Sequence, residues 1–490
     1  MNSAYPFPHE ARPRFRDADR ATNGLGWRHS FLRLLLTIVA LLGLYSSIGW
    51  TLPSGLRIPG IVVIGASQLL LLLNFGRLRI HHLTTFVLLV GIPAFTAIPA
   101  GIYRSLGGEF LKSWIQFMSS VVVFLSLGLE FSQWSAERIS RFFGVAAALI
   151  LVGCALENTT PLRGISDAFR QRVFADVFLY ESELRDEMYF GGRRPCLFTQ
   201  EPSHVAKFFA ISFAIWFSTG AHNIARIMVA CAGLLLGILL IGSVSILAAM
   251  PLAALGFVFS RRTLEFMRRN LVGFGFTVIL GGLVLGGLYR ASSSAFESRI
   301  EAALSGADFS TYTRLIAPTR LVTHVLSADP LFGVGLGGKE LVESSMLSIL
   351  VEGTTASSGY LASRIDAYWN NAFAELLIFQ GILGTALMLA ALILVVRKAF
   401  NGHWFVTLAA LFVIANMDSG FVSFRVWAYL GCFLGAACVL KRESPQQSGV
   451  DPVPEDATDL FARLKSSAGH PETEINDAPP ASGTNPARDF

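Results

Sequence analysis

Two polar stretches hold most of the residues able to do chemistry. The first reads Arg193-Arg194-Pro195-Cys196-Leu197-Phe198-Thr199-Gln200-Glu201-Pro202-Ser203-His204. Proline is tolerated at the first position of a helix, where its missing N–H has no partner in any case. A helix is therefore predicted to open at Pro202, with Glu201 at its N-terminus. A carboxylate there is either a cap stabilised by the helix dipole or a group that takes or orients a proton. The two arginines upstream either solvate a loop or clamp an anion. Placing a Glu and an arginine pair at the mouth of an apolar domain is a costly way merely to cap a helix.

The second stretch begins with Tyr312-Thr313-Arg314 and Arg320. It continues through Asp329-Pro330-Leu331-Phe332-Gly333-Val334-Gly335-Leu336-Gly337-Gly338. Its glycines allow left-handed or very close backbone geometry, which suits a plain turn at a bilayer surface as well as a binding loop. A nucleotide loop is excluded, since no strand leads in and no Gly-Lys-Ser or Gly-Lys-Thr follows. Arginine suits phosphate oxygens through paired hydrogen bonds. Arg314 and Arg320 fall on different helical faces, so at most one is expected to meet a substrate. The stretch closes on Arg364-Ile365-Asp366-Ala367-Tyr368-Trp369-Asn370-Asn371, followed by Glu375, Gly381 and Gly384. Asn370 or Asn371 can cap the next helix, the glycines permit close helix packing, and Tyr368 and Trp369 suit an interfacial aromatic belt. Glu375, about one turn into a membrane helix, is expected to face a partner or a polar cavity.

The elements that carry these residues are apolar helices. The chain has 490 residues, 53% hydrophobic and 15% charged, and its mean hydropathy is positive. Lipid is the solvent such a composition implies. Spanning helices are predicted near 31–50, 57–75, 83–103, 111–130, 139–156, 204–220, 223–241, 243–260, 271–289, 371–396, 403–417 and 421–440. The expectation is an all-α, polytopic transmembrane helical bundle of about twelve helices. A basic N-terminal segment (1–30), carrying Arg12, Arg14, Arg16, Arg20 and Arg28, precedes the core at 31–440 and has no cleavage site after it. The tail at 441–490 is too polar to fold. Hinges rich in Lys and Arg alternate with nearly uncharged ones, which puts both termini in the cytoplasm. It also sends two long loops, about 157–203 and 290–370, to the extracytoplasmic side, where function is expected. Leu315, Leu321, Val322 and Val325 predict a short amphipathic helix, and Leu341, Met346 and Leu350 another on the membrane surface. The five cysteines suggest neither disulfides nor a metal site. The net charge of +5 reads as cytoplasmic anchoring, not nucleic-acid binding.

In this order, the segments resemble the O-antigen polymerase and O-antigen ligase superfamily of envelope glycosyltransferases. The likeness rests on the Arg, Phe198 and Glu201-Pro202-Ser203 closure, and on the turn Gly242-Ser243-Val244-Ser245. It rests also on Arg314 followed by Pro330 to Gly337, and on Asn371 with Gly381 and Gly384. It spans roughly 31–440. The resemblance implies an inner-membrane polymerase of O-antigen or exopolysaccharide repeat units. Its donor would be an undecaprenyl-diphosphate-linked oligosaccharide, extended at the periplasmic face without a cofactor or metal. A chain-length regulator and a flippase would be candidate partners. Arg193 or Arg194, with Arg314, match the positions that hold the diphosphate, and Arg320, Asn370, Asn371 and Glu375 complete the expected substrate contacts. Ligases of the family place a His where this chain has Asn370, which leaves Glu201 as general base or acceptor-positioning group beside Arg314. The chemistry agrees: the diphosphate is already a good leaving group, so the protein must chiefly position two glycans and stabilise negative charge.

Two rival readings remain. A ligase would run the same chemistry onto a lipid or protein acceptor. A flippase or other transporter would show internal repeats, paired broken helices and ionisable groups near the bilayer midplane, whereas the charges here concentrate in the two outer loops.

Overall fold

The computed structural model describes residues 26–443, except 52–56, 59, 101–105, 175–185, 187–192, 221–222, 355–356, 364, 370, 401–403 and 419. Between 259 and 311 it describes 272, 275, 282, 286 and 309. The first helices are α1 (Gly26–Ser46), α2 (Ile61–Leu73), α3 (Ile80–Ala97), α4 (Gly107–Ser132) and α5 (Ala136–Thr159). Next come α6 (Leu162–Val173), α7 (Pro202–Thr219), α8 (Ile224–Ile241), α9 (Ala249–Val258), α10 (Ala317–Ala328), α11 (Lys339–Gly353) and α12 (Ser358–Ala362). The last are α13 (Ala372–Leu394), α14 (Trp404–Met417) and α15 (Phe424–Glu443). A two-residue antiparallel ladder, Trp50–Thr51 with Arg57–Ile58, interrupts the helical pattern.

A helix covers every predicted segment except 271–289, which lies outside the described residues, as does the tail beyond 443. Among the described residues seven helices, not twelve, are long and apolar enough to cross a membrane. Apart from 271–289, outside the described residues, the difference has two physical sources. Helices α2, α9 and α14 are apolar but short. Helix α7 has the length, but Ser203, His204 and Lys207 dilute its apolar character.

The core is close-packed. Helices α4 and α15 share the most extensive interface, and Gly431 and Gly435, four apart on α15, allow it. A Cβ at either position would lie 2.6 Å from Phe124 O or Phe131 Cβ of α4, the close approach that small residues permit in membrane bundles. Phe117 stacks on Phe421 at 5.0 Å and meets Trp427 edge-on at 5.3 Å. At the far end of α4, buried Glu130 accepts from Arg33 (2.9 and 2.7 Å), Asn74 (3.1 Å) and Trp134 (2.9 Å). A buried carboxylate is tolerable only when so fully partnered.

Helices α10, α11 and α12, with the 3-10 turn Ile365–Tyr368, form a second core around Leu321, Val325, Met346, Leu350 and Trp369. This corrects two expectations. Leu315 and Leu341 are exposed, so they stand outside the buried stripes the sequence predicts for them, and α10 and α11 bury their inner residues in this shared core. Tyr368 and Trp369 are buried, and Trp369 stacks on Phe379 with ring centres 5.9 Å apart, so they belong to this core and not to an aromatic belt.

Helix α13 is broken. Gly381 has φ +60° and ψ −169°, a conformation that strongly favours glycine. Thr385 Oγ1 donates to Leu376 O at 3.3 Å, although residues nine apart in a continuous helix sit about 13 Å apart. The halves are therefore folded sharply against each other. The glycine stretch supplies the missing backbone partners. Val334 N donates to Ile378 O (2.9 Å), Ile382 N to Pro330 O (2.9 Å) and Leu383 N to Leu331 O (3.0 Å). A Cβ at Gly333 would fall on Ile378 O, and one at Gly381 on the Leu331 carbonyl. The stretch is thus the buttress of a broken membrane helix, which needs its freed amides satisfied inside the protein.

Candidate functional site

The approach to Glu201 is held by residues that the sequence did not single out. Buried Glu157, in the last turn of α5, accepts from Cys196 N (3.3 Å) and Leu197 N (2.6 Å). Ser166 Oγ accepts from Phe198 N at 3.0 Å, and Tyr45 donates to Leu197 O at 2.7 Å. Buried Arg170 of α6 donates to Thr199 O (2.8 Å) and Gln200 O (3.0 Å). These bonds hold Leu197 and Phe198 at φ 39° and 66°, a region in which side chains are strained. Burial pushes the Cys196 thiol up to about 12, so it remains protonated and inert.

The predicted start of α7 at Pro202 is observed, with Glu201 in the N-cap position. Its side chain makes no cap hydrogen bond. Instead Oε1 accepts from the Ser203 hydroxyl and lies 3.5 Å from His204 Nε2. One turn further, Lys207 Nζ donates to Asp418 Oδ1 at 3.0 Å. Arg425, at the start of α15, meets His204 Nε2 through Nη1 and brings Nε to 3.9 Å from Asp418 Oδ2. Arg314 is close enough for its charge to act on both Glu201 and Lys207.

Asn371 ties these parts together. Its Oδ1 caps α13 by accepting from Ala374 N (2.9 Å), while Nδ2 donates to Arg314 O (3.1 Å) and Asn416 Oδ1 (3.0 Å). Ala372 N donates to Asp418 O at 3.2 Å. Five separate segments thus converge on one mostly buried cluster of both signs.

Its electrostatics favour permanent charge. Burial works against the Glu201 carboxylate, but His204, Lys207 and Arg314, with the Ser203 hydroxyl, hold it down at about 2. Burial likewise opposes charge on Asp418, and Arg425, Lys207 and His204 outweigh it, keeping Asp418 well below the usual carboxylate range. An acid held so low is a weak proton acceptor that can orient a hydroxyl through a hydrogen bond without keeping its proton.

The predicted residues divide. Glu201, Arg314 and Asn371 come together. Glu375 stands beside them, but its carboxylate accepts from Gly420 N (3.1 Å) and Phe421 N (2.8 Å), shaping the turn that carries Asp418. Arg194 lies elsewhere, paired with buried Asp186 at 3.0 Å and donating to Gly242 O at 3.4 Å, against the Gly242 turn. Arg193 offers its carbonyl to Arg163 at 2.9 Å. Arg320 is exposed and pairs with Glu352 at 3.5 Å. Asn370 lies outside the described residues.

His204, Lys207, Asn416, Asp418 and Arg425 were missed as site residues. A readable signal existed, since Lys207 and Arg425 interrupt apolar helices and such ionisable groups mark functional interiors. Charges are accordingly not confined to the outer loops. Beside the cluster, Ala372, Leu376, Leu411, Ala415, Phe421 and Trp427 line an apolar cavity between α13, α14 and α15. The arrangement offers fixed cations for an anion, a carboxylate to orient a hydroxyl, and a hydrocarbon-lined slot alongside. A family model described as WcaD colanic acid polymerase matches residues 32–441. No curated protein matches the chain.

Proposed function

We propose a mechanism for a chain that belongs to the WcaD colanic acid polymerase family and is therefore a multi-pass membrane polymerase of exopolysaccharide repeat units, a glycosyltransferase-type enzyme. The donor in this reading is an undecaprenyl-diphosphate-linked glycan, and the acceptor is a second lipid-linked repeat unit. The reaction runs at the periplasmic face of the inner membrane, with both chain termini in the cytoplasm. The acceptor hydroxyl oxygen bonds to the anomeric carbon of the donor. The bond from that carbon to the diphosphate breaks, and the diphosphate leaves with the electron pair. The hydroxyl proton passes along its hydrogen bond to Glu201 and on to the departing diphosphate or to water.

The observation that carries the reading is the meeting of Glu201 and Arg314, from segments over a hundred residues apart, in one cluster tied by Asn371. Arg314 stabilises the charge that develops on the diphosphate, the largest single demand of this chemistry. Glu201, held ionised by its neighbours, orients the acceptor hydroxyl more than it stores the proton. Asn371 positions Arg314, and Glu375 positions the Asp418 turn. Arg193 and Arg194 are assigned to shaping the rim where the glycans enter, and Arg320 to the outer surface. A flippase and a chain-length regulator fit as partners, since one supplies the donor and the other limits its extension. The transporter reading gains one broken helix, but the family match points to a polymerase.

Complementation of a deletion strain tests this. Glu201→Gln and Arg314→Ala are expected to reach normal membrane levels, make no polymer and accumulate single repeat units on carrier lipid. Wild-type polymer from both variants would remove these residues from the mechanism. Polymer accumulating on carrier lipid in the deletion strain would identify a ligase instead.

A further inference from the structure

Lys339 stands where helix stability alone would not put it. It is the first residue of α11, and a cation at a helix N-terminus faces the positive end of the dipole. The backbone leading to it has little freedom, because a Cβ on Gly337 would lie 2.7 Å from the Glu109 carbonyl and Phe110 N at the start of α4. The side chain reaches over Trp369, with Nζ 5.3 Å from the ring centre. A buried indole usually finds an acceptor for its N–H, yet Trp369 Nε1 is buried with none among the described residues. The ring is held through its faces, by the ammonium over it and by Phe379 stacked at 5.9 Å. Phe379 lies one turn after Glu375 in the first half of α13, before the break at Gly381, so the two share a face of that helix. The charge of Lys339 accordingly reaches the Glu375 carboxylate.

Glu375 needs such a neighbour. It is buried, it accepts from Gly420 N and Phe421 N, and Asp418, a second buried carboxylate, acts on it with like charge. Lys207 and Arg425 answer the charge of Asp418. Two amides do not neutralise a buried carboxylate, which calls for a cation as well. We propose that Lys339 is a positioning residue for the reaction, a cation supplied by α11 whose ammonium balances Glu375 and so fixes the 420–421 turn that sets Asp418 in the cluster. The inference rests on the polymerase reading, and extends it by tying the second core to the site. The glycine stretch that braces the break in α13 ends on the cation that the carboxylate of the same helix requires. A cation–π contact steers an ammonium without cancelling its charge, so Trp369 guides Lys339 toward Glu375 and leaves its field available there.

The test uses the full-length protein in nanodiscs and two readouts. The first is amide hydrogen exchange, which needs no substrate. In Lys339→Met, whose stem still packs on Trp369, exchange at Gly420 and Phe421 should accelerate about tenfold or more. Lys339→Arg keeps the charge and should exchange as wild type does. The second readout is polymer formed from lipid-linked repeat units extracted from the deletion strain. Lys339→Met should lower its rate about tenfold or more, Lys339→Arg should restore most of it, and Glu340→Gln, exposed in the same turn, should leave it unchanged. In a Glu375→Gln background Lys339→Met should lower the rate no further, since the cation then has no carboxylate to balance. Should the Met variant fail to accumulate, Lys339→Gln carries the same comparisons. A second loss of about tenfold in the Glu375→Gln background, or wild-type exchange in the folded charge-free variant, would show that Lys339 does not act through Glu375 and would overturn the inference, with the polymerase reading untouched. Wild type that forms no polymer from the extracted repeat units would sink the polymerase reading, and the positioning role with it.

Discussion

Replacing Glu157 should unseat the loop that presents Glu201 without touching the charged cluster itself. The Glu157 carboxylate accepts two backbone amides, from Cys196 and Leu197, in a buried setting. Hydrogen bonds to a charged group contribute about 1.5–3 kcal/mol each, so the pair contributes about 3–6 kcal/mol. Against this stand Leu197 and Phe198 in left-handed conformations, each costing about 1–2 kcal/mol. Without the carboxylate the turn keeps its bonds to Ser166 and Tyr45, together about 1–3 kcal/mol. The balance then falls to about zero, and the turn opens for a large share of the time. In Glu157→Ala, which removes both acceptor oxygens, amide hydrogen exchange at Cys196, Leu197 and Phe198 should accelerate about a hundredfold or more, and polymer formation should fall with the protein still in the membrane. Exchange at wild-type rates would show that the turn is held by something else, and the positioning argument would fail.

Three further outcomes are expected. Gly381→Ala would put a Cβ on the Leu331 carbonyl at a positive φ, so the melting temperature in detergent should drop sharply, by about 3 kcal/mol of stability or more. A near-normal melting curve would mean that the helix is not broken there. Arg320→Ala removes an exposed pair with Glu352, and should change stability by less than about 1 kcal/mol with polymer unaffected. Lost polymer would return Arg320 to the site. The Glu201 carboxyl is held down at about 2, so whatever its charge contributes to stability is fully present above the usual carboxylate range and is lost progressively as pH falls from that range to about 2. The difference in melting temperature between wild type and Glu201→Gln should therefore be flat from pH 6 to 8 and shrink only below about pH 4.5. A change centred near pH 6 would contradict the field of cations around it.

Local rules made a large part of this architecture readable. Pro202 opens α7, and Asn371 caps α13, because both positions depend on backbone groups within a few residues. What escaped was long-range. Nothing near Asp418 in sequence reveals Lys207, 211 residues away. Nothing in the Gly333 stretch says that its amides complete a helix some forty residues downstream. Arg194 was legible as an arginine beside a functional motif, but its commitment to Asp186 depends on how the first loop folds back. The span count faltered where membrane helices carry working polar groups, as α7 does with Ser203, His204 and Lys207.

The interruption at Gly381 bears on how such a protein is made and how it can be recombined. Its missing backbone partners come from Pro330, Leu331 and Val334, which leave the ribosome before the helix they complete. A nascent chain therefore has its brace ready when the second half of α13 is threaded into the bilayer, and the membrane need never host that backbone unpaired. The same dependence limits domain exchange. A chimera that swaps α10 to α12 together with the glycine stretch but keeps the host's α13 would separate a crease from its matching key, so 330–334 and 378–383 must travel as one unit of inheritance.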